Sequence, residues 1–224
     1  MSPLQIISLM PEAMGAFQVE KINHSIFKDH IFKIIEKATN DFKRDSRTGS
    51  PLYHICSKKH QNIFKSFPEL SELKKEIIKG ALSYIDQTGY SCEEVVVTDA
   101  WLNVGKKGSV LQWHNHANSY ISGTYFVNLN PNQHSLLGFK NDRIISNFNS
   151  PAITIPINDK KSTAYNSVEF NAFVPEGKIL LWRSHLVHGY NIPNKGDNRI
   201  TLSFNIMPKE CTDGNIFSFK VSSD

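Results

Sequence analysis

Residues 178–206, KILLWRSHLVHGYNIPNKGDNRITLSFNI, contain two strand-like runs with a polar, turn-rich segment between them. The first run, at 178–182, is almost continuously apolar, as in a buried strand, and it follows a turn-like Pro-Glu-Gly at 175–177. In the second run, Arg199, Thr201 and Ser203 alternate with apolar residues and therefore share one face. This stretch predicts β structure with polar side chains on one side of a strand.

The chain after residue 90 repeats this pattern of short extended runs broken by Gly, Pro and Asn. We expect strands at about 94–104, 109–116, 120–129, 135–140, 152–157, 167–174, 178–184, 199–207 and 215–221. Many short strands at near-even spacing predict a sandwich or barrel with helices packed outside it, a fold that is mainly β with flanking helices. The segment from Asn141 to Asn166 is the least regular and is expected to be a loop or lid.

The first ninety residues have a helical pattern instead. Ser25 is expected to cap a helix whose apolar positions run to Phe42, and a second helix follows Pro68 and ends before Gly89. The polar stretch 44–65 between them is expected to be irregular. Because no linker or repeat interrupts the chain, we expect one domain over 1–224, with a helical flank at 1–90 and a β core at 91–224.

The composition excludes several classes of protein. The 224 residues have a net charge of +4, 40% hydrophobic residues and 21% charged residues, which is ordinary for a globular protein. The three cysteines share no short spacing, which argues against a disulfide framework. No signal peptide or apolar span is evident, and no basic-aromatic stripe indicates nucleic acid. We therefore expect a cytoplasmic protein that binds neither a membrane nor nucleic acid, with its oligomeric state open and a homodimer as one option.

Two histidines lie two residues apart in the run LQWHNH at 111–116. Side chains at i and i+2 of a strand point to one face, about 6.6 Å apart at ~3.3 Å per residue. His114 and His116 can therefore converge on one metal ion, although a polar, solvent-facing strand surface is an equally good reading of this motif alone.

A third histidine follows the strand at 178–182. His185 and His188 are three residues apart and cannot easily face the same side, and we favour His188 as the ligand. The remaining histidines are expected to be surface or capping residues; they are His24, His30, His54, His60 and His134. Three imidazoles suit iron, zinc or copper, so the ligand set does not select the metal.

Arg199 begins the strand after His188, and Thr201 and Ser203 share its face. A guanidinium beside hydroxyl groups is a receptor for a carboxylate, because its fork binds both oxygens. A dicarboxylic keto acid could chelate the metal at one end and reach Arg199 at the other. The alternative is a salt bridge from Arg199 to Asp197 or Glu210.

These residues form a longer ordered pattern: Trp101-x-Asn103, His114-x-His116, Ser122-Gly123-x-Tyr125-Phe126, Pro175-x-Gly177, His188, Pro193-Asn194 and Arg199. The pattern resembles a family of 2-oxoglutarate/Fe(II) oxygenases of marine bacteria and cyanophages, which is distantly similar to prolyl hydroxylases. Met10-Pro11-Glu12 also resembles the short N-terminal motif of that family. The resemblance covers nearly the whole chain, and its second half is the specific part.

The resemblance implies a double-stranded β-helix, a cupin-like jelly roll, that holds one Fe(II) at its open end on the three histidines. 2-Oxoglutarate would chelate the iron through its C1 carboxylate and keto oxygen, with its C5 carboxylate on Arg199 and Ser203. Dioxygen would take the remaining position, and the products would be succinate and a hydroxylated substrate.

Further pocket residues follow from the strand positions beside these ligands. Asn103 is placed to touch 2-oxoglutarate, and Trp101 would line the pocket. Tyr125 or Phe126 would line it too, although the strand pleat lets only one of the two face inward.

One residue departs from the wider superfamily, which has Asp or Glu where this chain has His116. An imidazole there makes the iron site more cationic and is expected to lower its affinity for Fe(II). The outcome of the reaction is therefore open.

Three functions are consistent with the sequence. The favoured one is a 2-oxoglutarate-dependent hydroxylase acting on a small molecule or on a protein residue such as proline. The others are a three-histidine, cupin-like dioxygenase that needs no keto acid, and a non-catalytic β-barrel that binds a metal or ligand. The prime substrate is not evident, because substrate choice lies in loops whose composition is uninformative.

Overall fold

The computed structural model describes residues 3–8, 11–38, 42–45, 48–55, 62–141, 155–158, 160–213 and 217–222. Its strands are β1 (Met14–Gln18), β2 (Phe42–Arg44), β3 (Leu52–Ile55), β4 (Val95–Gly105), β5 (Leu111–His114), β6 (Ile121–Asn128), β7 (Leu137–Lys140), β8 (Glu169–Ala172), β9 (Lys178–Arg183), β10 (His188–Tyr190), β11 (Arg199–Pro208), β12 (Glu210–Asp213) and β13 (Phe217–Lys220). Its helices are α1 (His24–Lys37), α2 (Ile63–Ser66) and α3 (Ser71–Gln87), with a 3-10 turn at Pro68–Leu70.

Two antiparallel sheets form the body of the fold. The major sheet has the strand order β1-β9-β6-β11-β4-β3-β2, the minor sheet has the order β5-β10-β7-β8, and β12 and β13 form a separate hairpin. An apolar core between the two sheets joins β6 and β9 of the major sheet to β7 and β8 of the minor one. This architecture is a double-stranded β-helix, as expected.

The opposite face of the major sheet packs against the helices. A second, larger core contains the buried faces of α1, α2 and α3 together with alternate residues of β4, β6, β9 and β11. The pleat of β6 shows the division, because Tyr125 belongs to the helix-side core and Phe126 to the core between the sheets. None of the described helices has the length and apolar character that a membrane crossing requires.

The N-terminal ninety residues are more than a helical flank. β1 pairs along its whole length with β9 at one end of the major sheet, and β3 pairs with β4 towards the other end. The stretch 44–65, expected to be irregular, contains β3 and α2. The division of the chain into a helical part and a β part is therefore wrong, because three strands of the major sheet come from before residue 90.

Several element boundaries also differ from expectation. α1 is capped by Asn23 and not by Ser25, since the Asn23 Oδ1 accepts the Ile26 N–H at 3.3 Å, and it ends at Lys37. The sequence pattern did not reveal β10 or β12. The first part of the expected strand at 152–157 lies outside the described residues, and residues 155–158 have no regular structure.

Candidate metal and cosubstrate site

The pairing of β5 with β10 brings the predicted histidines together. His188 lies directly opposite His114 in this pair, and His116 follows β5 by two residues. The ring centroids are 4.4 Å apart for His114 and His188, and 5.1 Å apart for His116 and either of the other two. One ring nitrogen from each residue lies within 4.8 Å of the other two, a spacing that can hold a metal ion.

Hydrogen bonds fix which nitrogen of each ring can bind a metal. The Nδ1 of His114 lies 2.7 Å from the Gln112 carbonyl oxygen, and that of His188 lies 2.9 Å from the Leu186 carbonyl oxygen. The Nδ1 of His116 lies 2.6 Å from the side-chain oxygen of Asn205. A carbonyl oxygen can only accept, so each neutral ring carries its proton on Nδ1 and its lone pair on Nε2.

His188 is the most enclosed of the three ligands. Its burial, followed by the proximity of His114, lowers the pKa of His188 to about 3. Its ring is packed edge to face against the indole of Trp182, 4.9 Å away between centroids. The ring is therefore neutral at physiological pH, which is the form that a metal ligand needs.

The other histidines have different surroundings. His185 faces outward, with its Nε2 3.4 Å from a carboxylate oxygen of Glu12, and His30 is exposed, both as expected. His134 is only 4% exposed and caps a turn, since its Nδ1 accepts the Asn130 N–H at 3.0 Å; His54 is half-buried and lines the cavity described below. His60 lies outside the described residues.

The histidine trio opens into a cavity of about 480 Å³ between the two sheets. Strand β11 forms its floor, because Arg199, Thr201, Ser203 and Asn205 all lie on one face and all line the cavity. On the neighbouring strand β4, Trp101 and other alternate residues also line the cavity. The predicted polar face of residues 199–203 therefore lies in the same cavity as the predicted metal ligands.

Arg199 is buried in this cavity, with 3% of its surface exposed. Its guanidinium lies 4.4 Å from the centre of the Tyr190 ring, and its Nε donates to the Ser135 carbonyl oxygen at 2.9 Å. Burial lowers the pKa of Arg199 from its ordinary value, but an arginine side chain stays charged in proteins.

The carboxylates proposed as alternative partners of Arg199 are bound elsewhere. Asp197 accepts the Lys107 N–H at 2.8 Å, and Glu210 pairs with Lys220 at 2.8 Å. Within the described part of the chain, no salt bridge involves Arg199. A buried cation without a protein carboxylate fits an anionic ligand, because an isolated buried charge is costly.

Asn103 is occupied by neighbouring side chains. Its amide nitrogen donates to the hydroxyls of Thr201 at 3.2 Å and Ser203 at 2.8 Å. Its oxygen accepts the Trp101 indole N–H at 3.0 Å and lies 2.7 Å from the Nδ1 of His54. Asn103 therefore orients the two hydroxyl groups, and because it also lines the cavity, its direct contact with 2-oxoglutarate stays a prediction.

Neither Tyr125 nor Phe126 lines the cavity, although one of the two was expected to face it. Tyr125 packs against α1, with its hydroxyl 2.7 Å from the Nδ1 of His24, and Phe126 lies within the core between the sheets. The pleat does place them on opposite faces, but the cavity is formed closer to the start of β6, by Ser122, Gly123 and Thr124. Trp101, by contrast, lines the cavity and stacks on His116 at 5.9 Å between ring centroids.

The sequence analysis missed Asn205 and Asp99, which extend the same polar faces by one more residue each. Asn205 is two residues beyond Ser203 on β11, and Asp99 is two residues before Trp101 on β4, opposite Asn205 in the strand register. Continuing the alternation along both strands would have found them. Tyr190, which packs on Arg199, carries no such signal because it depends on a cross-strand contact.

Residues 99–205 match the model of a protein family described as "Putative 2OG-Fe(II) oxygenase". This segment contains every proposed metal ligand and Arg199. This match covers just under half of the chain, and over it the chain is similar to the 2OG-Fe(II) oxygenases. No curated protein matches the sequence of the chain.

Solved structures show the same fold at low sequence identity. The carbocyclase SnoK from nogalamycin biosynthesis, a non-haem α-ketoglutarate-dependent protein, has a TM-score of 0.64 at 11% identity, over 89% of this chain and 81% of that one. HygX from Streptomyces hygroscopicus, with nickel, 2-oxoglutarate and hygromycin B bound, has a TM-score of 0.58 at 13% identity, over 88% and 83%. A Pseudomonas putida prolyl-4-hydroxylase has a TM-score of 0.50 at 10% identity, over 87% and 92%.

The residues of the site fit Fe(II) and 2-oxoglutarate. Three neutral imidazoles with their lone pairs on Nε2 can hold a divalent metal, and they leave coordination positions open. The buried guanidinium in the same cavity suits the far carboxylate of a dicarboxylic acid. The three imidazoles that can hold a metal and the guanidinium that can bind a carboxylate are thus present in one cavity.

Proposed function

We propose that this protein is a 2-oxoglutarate/Fe(II)-dependent dioxygenase that couples the decarboxylation of 2-oxoglutarate to the hydroxylation of a C–H bond in a small molecule or a protein residue. His114, His116 and His188 would hold Fe(II), and Arg199 would bind the C5 carboxylate. The observation that carries the proposal is the combination, in one cavity, of the three convergent imidazoles and a buried Arg199 that has no carboxylate partner among the described residues. A metal-only binding site would have no use for such a cation.

The iron and 2-oxoglutarate, when bound, supply the oxidising chemistry, and the chain supplies orientation and an enclosed site. Arg199 orients the cosubstrate by charge-assisted hydrogen bonds to one end of it. Thr201 and Ser203 present hydroxyl groups beside it, held in place by the amide of Asn103. Trp101 borders the metal ligands on the β4 side of the cavity and can form part of the wall that meets the prime substrate.

The direct test is uncoupled turnover. The purified protein with Fe(II), ascorbate and 2-oxoglutarate should release succinate even when no prime substrate is added. Anaerobic addition of Fe(II) and 2-oxoglutarate together should give a visible charge-transfer absorption that neither gives alone. A Zn(II)-loaded sample should give neither signal and serves as the control.

Two results would contradict the proposal. The first is the absence of succinate together with the absence of 2-oxoglutarate binding by calorimetry. The second is oxygen consumption that is independent of 2-oxoglutarate, which would favour a three-histidine dioxygenase that needs no keto acid.

A further inference from the structure

The third histidine of the site is connected to a carboxylate through an amide. The side-chain oxygen of Asn205 lies 2.6 Å from the Nδ1 of His116, and the side-chain nitrogen of Asn205 donates to Asp99 Oδ2 at 2.7 Å. Thr98 donates its hydroxyl to the other oxygen of Asp99 at 2.7 Å. The chain of contacts therefore runs from β4 through β11 to the residue that follows β5.

The hydrogen bonds that link Asp99, Asn205 and His116 can run in only one direction. The carboxylate of Asp99 accepts hydrogen bonds and cannot donate them when ionised, so the amide nitrogen of Asn205 must face it. The amide oxygen must then face His116, and it also accepts the Ser122 hydroxyl at 2.9 Å. Since this oxygen can only accept, the Nδ1 of His116 must carry the proton.

We propose that Asp99 and Asn205 are positioning residues that hold His116 in the tautomer that can bind the metal. The inference rests on the proposed function of His116 as a ligand. His114 and His188 obtain the same tautomer from backbone carbonyls, which are fixed by the fold. Only His116 depends on a side-chain amide, which has two orientations, and Asp99 is the group that selects one of them.

The replacement Asp99→Asn removes that selection. An amide at position 99 can either donate or accept, so Asn205 can rotate and present its nitrogen to His116. The Nδ1 of His116 would then accept, its proton would move to Nε2, and the lone pair needed for the metal would be lost. Partners of metal-ligating histidines typically change metal affinity by about 10- to 100-fold when they are mutated.

The exchange of the two side chains provides a rescue. In the double variant Asn205→Asp/Asp99→Asn, a carboxylate accepts directly from the Nδ1 of His116, and the amide at position 99 donates to that carboxylate. The net charge and the number of polar groups are unchanged. A merely structural role for the pair would give no recovery, because the exchange disturbs the same packing twice.

The experiment measures the tautomer of His116 in metal-free protein by ¹⁵N NMR, and the affinity for Ni²⁺ by calorimetry. We expect the Nδ1–H form in the natural chain, a mixture of tautomers with at least about 10-fold weaker Ni²⁺ binding in Asp99→Asn, and recovery of both in the double variant. Asp86→Asn, the same substitution at the exposed end of α3, is the control and should behave as the natural chain.

Two outcomes would overturn the inference: an unchanged tautomer and Ni²⁺ affinity in Asp99→Asn, or a double variant that recovers neither. The NMR measurement needs no metal. A failure of the proposed function would instead appear as a natural chain that binds no Ni²⁺ while the tautomers still change as expected.

Discussion

The guanidinium of Arg199 lies in the interior between the Tyr190 ring and a backbone carbonyl, within the same cavity as the histidine trio. Removing it should therefore affect the cosubstrate and not the metal. We expect Arg199→Ala to weaken 2-oxoglutarate binding by about 1.5–3 kcal/mol, the value of a hydrogen bond to a charged group. Affinity for Ni²⁺ alone, measured in the same calorimeter, should stay close to that of the natural chain.

Arg183→Ala is the matched control for this prediction. Arg183 is half-buried and donates to the Tyr120 hydroxyl at 2.8 Å, but it does not line the cavity. Equal losses of 2-oxoglutarate affinity in the two variants would show that the effect comes from general destabilisation. An Arg199→Ala protein with unchanged affinity would remove Arg199 from the cosubstrate site.

Residue spacing predicted which side chains of one strand share a face, but it could not predict contacts between strands. Period-2 alternation was sufficient to place Arg199, Thr201 and Ser203 on one face, because alternation is a property of a single strand. The contacts of Asn103 depend on which strands are neighbours and in which register, and one strand does not contain that information. For the same reason, the pleat separated Tyr125 from Phe126 correctly but did not show how far along β6 the cavity extends.

His134 shows how the loop between β6 and β7 responds to pH. Its Nδ1 accepts the Asn130 N–H at 3.0 Å, and its Nε2 donates to the Asp197 carbonyl oxygen at 2.8 Å. Burial lowers the pKa of His134 below its ordinary value of 6.5, against the opposing effect of the hydrogen bond to Asp197. Protonation would disrupt the bond from Asn130, and the same loop supplies the carbonyl of Ser135 that holds Arg199.

The sign of the pH dependence follows from these facts. Below pH 6.5 the unfolded chain binds a proton at His134 more readily than the folded chain does, so the free energy of unfolding falls as the pH falls. We expect the loss between pH 7 and pH 5, measured by urea denaturation of metal-free protein, to be smaller in His134→Gln. His30→Gln, on the exposed side of α1, is the control, and identical pH profiles for all three proteins would contradict the prediction.

The strand pair β5–β10 depends on a glycine. A Cβ at Gly189 would lie 2.7 Å from the Leu111 carbonyl oxygen and 3.0 Å from that of Gln112, both of them backbone atoms that cannot move aside easily. Gly189→Ala should therefore push β10 away from β5 and separate His188 from His114. We expect weaker Ni²⁺ binding and a destabilisation of about 1–3 kcal/mol, as for other overpacked sites.

Gly138→Ala, on the adjacent strand β7, is the comparison for this variant. A Cβ there would meet only side-chain atoms of Trp113, Asn171 and Glu169, which can adjust more readily. Its effect on Ni²⁺ affinity, measured by calorimetry, should be clearly smaller. If both glycines proved equally tolerant, the close approach at Gly189 would not be what positions His188.

Local patterns revealed some elements and not others. The long apolar or alternating runs of β4, β6, β9 and β11 were predicted close to their observed limits, because each makes a strong signal alone. β1, β2, β3, β10 and β12 were missed. They are three to five residues long, and β1, β3 and β10 become strands through partners distant in the sequence, such as the pairing of Met14 with Trp182.

In the whole molecule, the strands at the two sides of the major sheet determine whether the β-rich part can fold without the N-terminal residues. β1 covers the edge of β9, and β3 covers the edge of β4. A fragment of residues 91–224 would expose both edges and the apolar face that the helices cover. We expect it to aggregate or to show no cooperative thermal transition by circular dichroism, whereas residues 11–224 should unfold cooperatively. A cooperative transition in the shorter fragment would contradict the single-domain prediction.

Two of the three tryptophans of the chain lie beside the histidine trio. Trp101 stacks on His116 and Trp182 contacts His188, whereas the ring of Trp113 lies under the ammonium group of Lys140. Indole emission is quenched over short distances by open-shell ions, so much of the intrinsic fluorescence of this protein should report on whether the histidine trio holds such an ion. Loading with such an ion can therefore be followed optically in the natural chain, without a label, a substrate or turnover.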